Sequence, residues 1–282
     1  MKYQECYHKG TTALVEAGIE EAALDARLLL EYVCNTDRNY LLVHGDNEVA
    51  AEQEEAYLQK ITMRAKRLPL QQITGVQNFM GLDFRVNEHV LIPRQDTEIL
   101  VEEVLRQMSD GSKILDMCTG SGCILISLLY YNNWCEGVGA DISVKALEVA
   151  EDNATQLLGG KSTQSVYRFV ESNLFENVDG QFDIIVSNPP YIRSDVIETL
   201  MPEVKEHEPR QALDGSSDGL YFYRRIVEES GRFLKHGGML YFEIGYDQGA
   251  EVSEIMTKKG FADIQIVKDY AGLDRVVYGR WM

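Results

Sequence analysis

Lys113-Ile114-Leu115-Asp116-Met117-Cys118-Thr119-Gly120-Ser121-Gly122-Cys123-Ile124-Leu125 decides the fold. An apolar run that closes on an acid, a glycine-rich stretch and a second apolar run read as a buried strand, a tight loop and a helix opening near Gly122. Glycines at such a turn let a ligand approach the backbone, and the helix N-terminus offers unpaired N–H groups. Downstream the same alternation repeats. Residues 137–141 form the next strand, and Ser143 caps a helix that runs to Leu157. Strands follow at 167–170 and 182–186, then a helix at 219–234 and a fifth strand at 239–244. The tail ends in two strands, 264–267 and 275–278, rather than in another strand–helix unit. Alternating strands and helices predict an α/β fold with a doubly wound, mostly parallel sheet, its ligands at the carboxyl ends of the strands.

Upstream the texture differs. Ala22, Leu24, Ala26, Leu28, Leu29 and Val33 recur at helical spacing, and a second helical stretch runs from Ala50 to Leu68, where Pro69 closes it. Residues 1–70 therefore read as a small helical domain. Asn78-Phe79-Met80-Gly81-Leu82-Asp83-Phe84-Arg85-Val86 alternates around a glycine and predicts a hairpin, so 71–95 reads as a linker. A helix capped near Asp96 or Thr97, with Glu98 in its first turn, opens the third region, 96–282.

Composition narrows the function classes. Of 282 residues, 45% are hydrophobic and 26% charged, as in a globular protein with a sizeable core. The net charge of −18 argues against a surface that tracks phosphates, so no direct nucleic-acid binding is expected. Cys6, Cys34, Cys118, Cys123 and Cys135 are scattered, form no Cys-x-x-Cys pair and read as free thiols of a cytoplasmic protein. The five histidines stand at no metal-ligand spacing, and no metal is expected. The first residues lack an apolar signal core, and the longest apolar run, 123–131, is too short to span a bilayer. No membrane partner is expected.

The glycine loop discriminates between ligands. A nicotinamide dinucleotide fingerprint would place a third glycine where Leu125 stands, and so it fails. Asp116 at the strand end suits a cationic ligand better than a pyrophosphate. S-adenosylmethionine carries an ammonium and a sulfonium, so a nearby carboxylate attracts it. Asp141 ends the second strand, and its two oxygens can accept from both hydroxyls of a ribose.

Asn188-Pro189-Pro190-Tyr191 follows the fourth strand, at the same carboxyl edge as the glycine loop. Two prolines stiffen the backbone in an extended form. The Asn188 side-chain carbonyl and the Pro189 carbonyl can together accept both hydrogens of one planar NH2 group, and Tyr191 can lie flat against it. Such a grip points to methyl transfer onto nitrogen without specifying which nitrogen. Glu243, ending the fifth strand, stands at the same edge.

Over nearly its whole length the chain resembles the PrmC/HemK family of peptide chain release factor glutamine methyltransferases. The likeness rests on Gln72-Ile73-Thr74-Gly75, Phe79-x-Gly81-Leu82-x-Phe84-x-Val86, Val90-Leu91-Ile92-Pro93-Arg94, Thr97-Glu98, the glycine loop, the Asn188-Pro189-Pro190-Tyr191 turn, and Glu208-Pro209 with Ala212-Leu213 and Asp218-Gly219-Leu220. It implies a class I, Rossmann-like, S-adenosylmethionine-dependent methyltransferase with a mostly parallel seven-stranded sheet, a helical domain that helps dock the release factor, and a β-hairpin linker. The acceptor it implies is the glutamine side chain of the release factor's Gly-Gly-Gln motif. Cys118, Thr119, Gly120, Ser121, Gly122 and Asp141 would contact the cofactor. Asn188 would face cofactor and substrate, and Pro189, Pro190 and Tyr191 would complete the substrate site. Phe79 and the Ile92-Pro93-Arg94-Gln95 stretch would lie near the cofactor entrance. Three positions depart from the family pattern: Cys118 replaces a glycine, Gln95 a proline, and Asn173 an aspartate that would meet the adenine amino group, with Leu174 as an apolar wall. Two other readings stay open: N-methylation of an exocyclic amino group of adenine or guanine in DNA or RNA, and a non-catalytic S-adenosylmethionine-binding adaptor.

Overall fold

The computed structural model describes residues 1–161 and 164–282. Its contacts divide the chain into two units, one of residues 1–76 with 201–207, the other of residues 77–200 with 208–282.

The first unit is helical: α1 (Tyr3–Glu16), α2 (Ala22–Cys34), α3 (Arg38–Val43), α4 (Ala51–Ala65) and α5 (Leu70–Thr74). Leu14, Ala26, Leu29, Leu30, Tyr57 and Ile61 meet in its core, so the apolar stripe of α2 packs against α1 and α4. Asp37 caps α3 by accepting from the Tyr40 N–H. A returning segment, 201–207, belongs to this unit because Arg64 is buried between two carboxylates, 2.6 Å from Asp25 and 3.0 Å from Glu203. A guanidinium hidden from water persists only with such partners, and both are supplied within the unit.

The second unit opens with a hairpin, β1 (Val76–Phe79) and β2 (Leu82–Arg85), joined by Met80 and Gly81. Both turn residues have positive φ, the mirror-image turn that matches strand twist. The tip is held down: the Met80 N–H donates to Glu98, and its carbonyl accepts from the Tyr131 hydroxyl, each at 2.6 Å. Then come α6 (Asp96–Gln107), β3 (Lys113–Met117), α7 (Cys123–Tyr131), β4 (Glu136–Asp141), α8 (Val144–Leu158), β5 (Val166–Glu171) and β6 (Phe182–Ser187). They are followed by α9 (Pro202–Lys205, in the helical unit), α10 (Arg210–Leu213), α11 (Tyr221–Ser230), β7 (Leu234–Glu243), α12 (Gly249–Lys259), β8 (Phe261–Lys268) and β9 (Asp274–Trp281).

The seven-stranded sheet runs β5-β4-β3-β6-β7-β9-β8. Its first five strands are parallel, and β9 runs antiparallel between β7 and β8. The order reverses between β3 and β6, and a crevice at the carboxyl ends of those two strands is where such a sheet receives ligands. Continuous apolar runs in β3 and β6 reflect burial on both faces.

Two boundaries differ from the sequence pattern. The helix expected over 219–234 is only α11, because Leu234 already pairs with Phe182 and starts β7. The cap of α6 falls on Gln95, whose side chain makes no capping bond. Thr97 sits inside the first turn and is buried, with its hydroxyl accepting from Asn188 instead of capping the helix end.

Candidate active site

The loop between β3 and α7 lies on one side of a cavity of about 410 Å³, and Met117, Cys118, Thr119, Gly120 and Ser121 line it. Three residues take left-handed backbone: Cys118 (φ 63°), Gly120 (φ 55°) and Gly122 (φ 78°). At Gly122 a side chain would have no room, since a Cβ would fall 2.8 Å from Ile126 Cδ1 and 3.1 Å from Ala150 Cβ. Cys118 holds the same kind of backbone with a side chain, a strained choice at the loop start. Burial pushes its thiol well above the usual range, so it is no thiolate.

The loop is braced from below. Fully buried Asp116 accepts from the Thr119 hydroxyl at 2.6 Å and from the Leu125 N–H at 3.3 Å. Burial pushes its carboxyl up to about 7, against the pull of those two bonds. Asp116 and Gly122 are not among the residues that line the cavity; Asp116 braces the loop from beneath, and Gly122 stands where a side chain would have no room. Asn153 of α8, fully buried, adds a brace: its amide donates to the Ser121 and Arg85 carbonyls and accepts from the Arg85 N–H.

Asp141 ends β4 and lines the cavity. One oxygen accepts from the Gly120 N–H and the other from the Ser143 N–H, both at 2.9 Å. Each oxygen retains a lone pair for a further donor. Burial raises its carboxyl and the backbone bonds lower it. After β5, Asn173 and Leu174 line the cavity as well. The Asn173 amide nitrogen donates to Glu176 at 2.8 Å, which turns the amide oxygen the other way. Leu174 is buried with φ 53°, a strained conformation for a bulky residue that sets its side chain as a wall.

Asn188 and Pro190, beyond the end of β6, line the cavity from the neighbouring strand. The Asn188 Nδ2 donates to the Thr97 hydroxyl at 3.3 Å, and among the described residues no donor reaches its Oδ1 or the Pro189 carbonyl. Pro189 is buried and, like Tyr191, is not among the lining residues. Tyr191 points its hydroxyl at Glu243 (3.2 Å), at the end of β7. Glu243 is itself buried. Burial raises its carboxyl, while Thr97, Arg275 and Tyr191 pull it down.

The backbone of the turn is clamped as well. Ile192 and Gly215 exchange bonds with Leu213 and Ile192, and the Gln248 amide donates to the Tyr191 carbonyl at 3.1 Å. Gly219 (φ 73°) comes so close that a Cβ would sit 2.5 Å from that carbonyl.

Several lining residues carried no clear signal of their own: Ile142, Tyr221 and Phe222. Arg94, within the stretch expected at the entrance, lines the cavity and is held at 2.6 Å by Glu208. Phe79 does not reach the entrance; it is fully buried and packs edge-on against Phe84. Among the described residues no cluster of His, Cys, Asp and Glu could hold a metal ion, and no helix is long and apolar enough to cross a membrane.

Sheet order and site together define a class I methyltransferase. Solved structures share the fold: a methyltransferase from Pyrococcus furiosus (TM-score 0.54, 16% identity, covering 78% of this chain and 98% of that one) and the catalytic domain of hMettl16 in complex with an RNA hairpin (TM-score 0.56, 16% identity, 79% and 82%). The family models for the PrmC N-terminal domain and the methyltransferase small domain match residues 5–75 and 94–206. The release factor glutamine methyltransferase of Geobacter sulfurreducens is 44% identical over 268 residues, 95% of this chain and 92% of its own length. That of Clostridium acetobutylicum is 42% identical over 282 residues, 98% of each. The chain belongs to the family of release factor glutamine methyltransferases.

Proposed function

We propose that the protein transfers a methyl group from S-adenosylmethionine to the side-chain amide nitrogen of the glutamine in the Gly-Gly-Gln motif of class 1 peptide chain release factors. The observation that carries this reading is the pairing of two turns at the switch point of the sheet. One is a glycine loop with a carboxylate at the next strand end; the other presents the Asn188 amide oxygen and the Pro189 carbonyl free of donors among the described residues.

The residues present fit the cofactor. A ribose finds two acceptor oxygens at Asp141, an adenine finds the Asn173 amide oxygen with Leu174 and Ile142 as apolar walls, and a positive charge finds Asp141 in the cavity and Asp116 beneath the loop. When bound, S-adenosylmethionine supplies an electrophilic methyl group on a positively charged sulfur. The chain's own contribution is to the acceptor. An amide nitrogen is a weak nucleophile, so placement and exclusion of water carry much of the rate. Asn188 Oδ1 and Pro189 O accept the two N–H groups and so fix the plane and position of the nitrogen. Pro190 stiffens the turn, and Tyr191, anchored on Glu243, sets its far end. No strong base is required, because the proton leaves after the nitrogen has gained its methyl group.

Residues 1–70 serve in this reading as the docking domain for the release factor and 71–95 as the linker to the methyltransferase domain at 96–282. A net charge of −18 favours a protein substrate over a nucleic-acid one, in a cytoplasmic setting. The test is incubation with a purified release factor and labelled S-adenosylmethionine, followed by peptide mapping. Label on the Gly-Gly-Gln peptide supports the reading; label on added DNA or RNA overturns it in favour of an adenine or guanine amino group.

A further inference from the structure

We propose that Gln248 is a positioning residue that holds the turn of residues 188–191 in place against the two loops beside it. The inference rests on the reading of that turn as the grip for the substrate amide and deepens it.

Gln248 stands at the N-cap of α12, a position that favours a short side chain able to accept from the first turn. Its side chain makes no capping bond. It is buried and reaches into the junction of three loops. Nε2 donates to the Tyr191 carbonyl at 3.1 Å and to the Gly219 carbonyl at 3.3 Å, while Oε1 accepts from the Gly245 N–H at 2.9 Å. The Tyr223 hydroxyl lies 3.3 Å from the same oxygen. A side-chain amide has two N–H donors and one oxygen with two lone pairs, so its whole capacity is used here. The main-chain partners fix which end points where, since a carbonyl cannot donate and an N–H cannot accept.

Packing around the amide is equally close. A Cβ at Gly219 would fall 2.5 Å from the Tyr191 carbonyl oxygen and 2.7 Å from Gln248 Nε2. One at Gly215 would fall 2.7 Å from Tyr191 Cα, and one at Gly245 would fall 2.9 Å from Gln248 Oε1. Glycines thus let the neighbouring loops close on the Tyr191 main chain and on this one side chain. The prolines decide what that does for the turn. Pro189 and Pro190 each fix their own φ and restrict the residue before them. Residues 188–190 therefore move as a nearly rigid piece, with β6 at one end and Tyr191 at the other. A shift of the Tyr191 main chain is passed on to the Pro189 carbonyl and to Asn188 instead of being absorbed between them. Gln248 sets that end, and through Gly219 it sets it against the segment that brings Tyr221 and Phe222 to the cavity. A misplacement on the order of 1 Å at such a grip can cost roughly 100-fold in rate.

Gln248→Met keeps the length and removes both ends of the amide. Gln248→Glu keeps the shape and, when ionised, sets a carboxylate against two carbonyls. Single-turnover methylation of a release factor at saturating concentrations, the Kd for S-adenosylmethionine and the melting temperature are measured for each over a range of pH. Both variants are expected to slow transfer by about tenfold or more near neutral pH while the cofactor Kd moves by less than about threefold. Relative to wild type, Gln248→Glu should recover as the pH falls, because its protonated carboxyl donates to one of the carbonyls, and Gln248→Met should not. Each variant serves alone if the other folds poorly: Gln248→Met by the split between rate and Kd, Gln248→Glu by its pH profile. Transfer at the wild-type rate, a loss carried by the cofactor Kd alone, or a Gln248→Glu defect that is the same at every pH would overturn the proposal. Asn188→Ala is run beside them. If it alone collapses, the role given to Gln248 is wrong and the reading of the turn stands; if it too keeps the wild-type rate, the reading itself fails.

Discussion

The two turns of the site lie at the carboxyl ends of adjacent parallel strands and are built in opposite ways. The loop after β3 is made of backbone: left-handed residues at 118, 120 and 122, a carboxylate beneath it, and bonds largely to its immediate neighbours in sequence and on β4. The turn after β6 is made of prolines held by distant side chains, Thr97 on α6, Glu243 on β7 and Gln248 beyond it. A loop that needs only to let a large ligand approach is specified by local conformation. A turn that must present two acceptors to one small amide needs partners from several elements, because each acceptor has to be aimed.

That contrast can be broken or sharpened by substitution. The largest effect is expected for Asn188→Ala, which removes one of two acceptors and should cut single-turnover transfer by about 100-fold or more while leaving the cofactor Kd nearly unchanged. Next come matched glycine substitutions. Gly219→Ala drives a Cβ into the Tyr191 carbonyl, and Gly122→Ala drives one into Ile126 and Ala150, both at positive φ, with a cost of about 1–3 kcal/mol each. The two should part in their functional readout: Gly122→Ala raises the Kd for S-adenosylmethionine, whereas Gly219→Ala lowers the transfer rate. If both act on the same parameter, the separation of the two turns is wrong.

Smaller effects probe the loop alone. Cys118→Gly relieves left-handed strain worth about 1 kcal/mol and should raise the melting temperature slightly, with the thiol's own packing working against it. Asp116 supplies a pH signature. Its folded-state carboxyl lies near 7, above its ordinary 3.8, so its contribution to stability is full below 3.8 and is lost as pH rises toward and through 7. Thermal melts across that window should show a decline in the wild type that Asp116→Asn lacks.

The same contrast explains what could be read from the sequence. Strand, glycine loop and helix at 113–131 were legible because their pattern is local, as was Ser143, whose hydroxyl accepts from the Ala146 N–H. The turn was recognisable from Asn188 and its prolines, yet the side chains that aim it were not. Thr97 looked like a helix cap because nothing nearby in sequence reveals its bond with Asn188. The bond from Tyr191 to Glu243 was hidden for the same reason. Asp116 was expected to meet the cofactor; the sequence shows a charge at a strand end but not that Thr119 and Leu125 both bond to one of its oxygens. α12 alternates weakly, with Val252 and Met256 buried among charges, and emerges only once β7 and β8 are placed on either side.

The acceptor is the centre of the account, and it can be tested without altering the enzyme. The protein is incubated with labelled S-adenosylmethionine and either an intact release factor or one whose Gly-Gly-Gln glutamine is replaced by glutamate, which has no amide nitrogen. The account predicts one methyl group on that glutamine of the intact factor and none on the variant. Equal labelling of both factors, or label found only on nucleic acid, would contradict it.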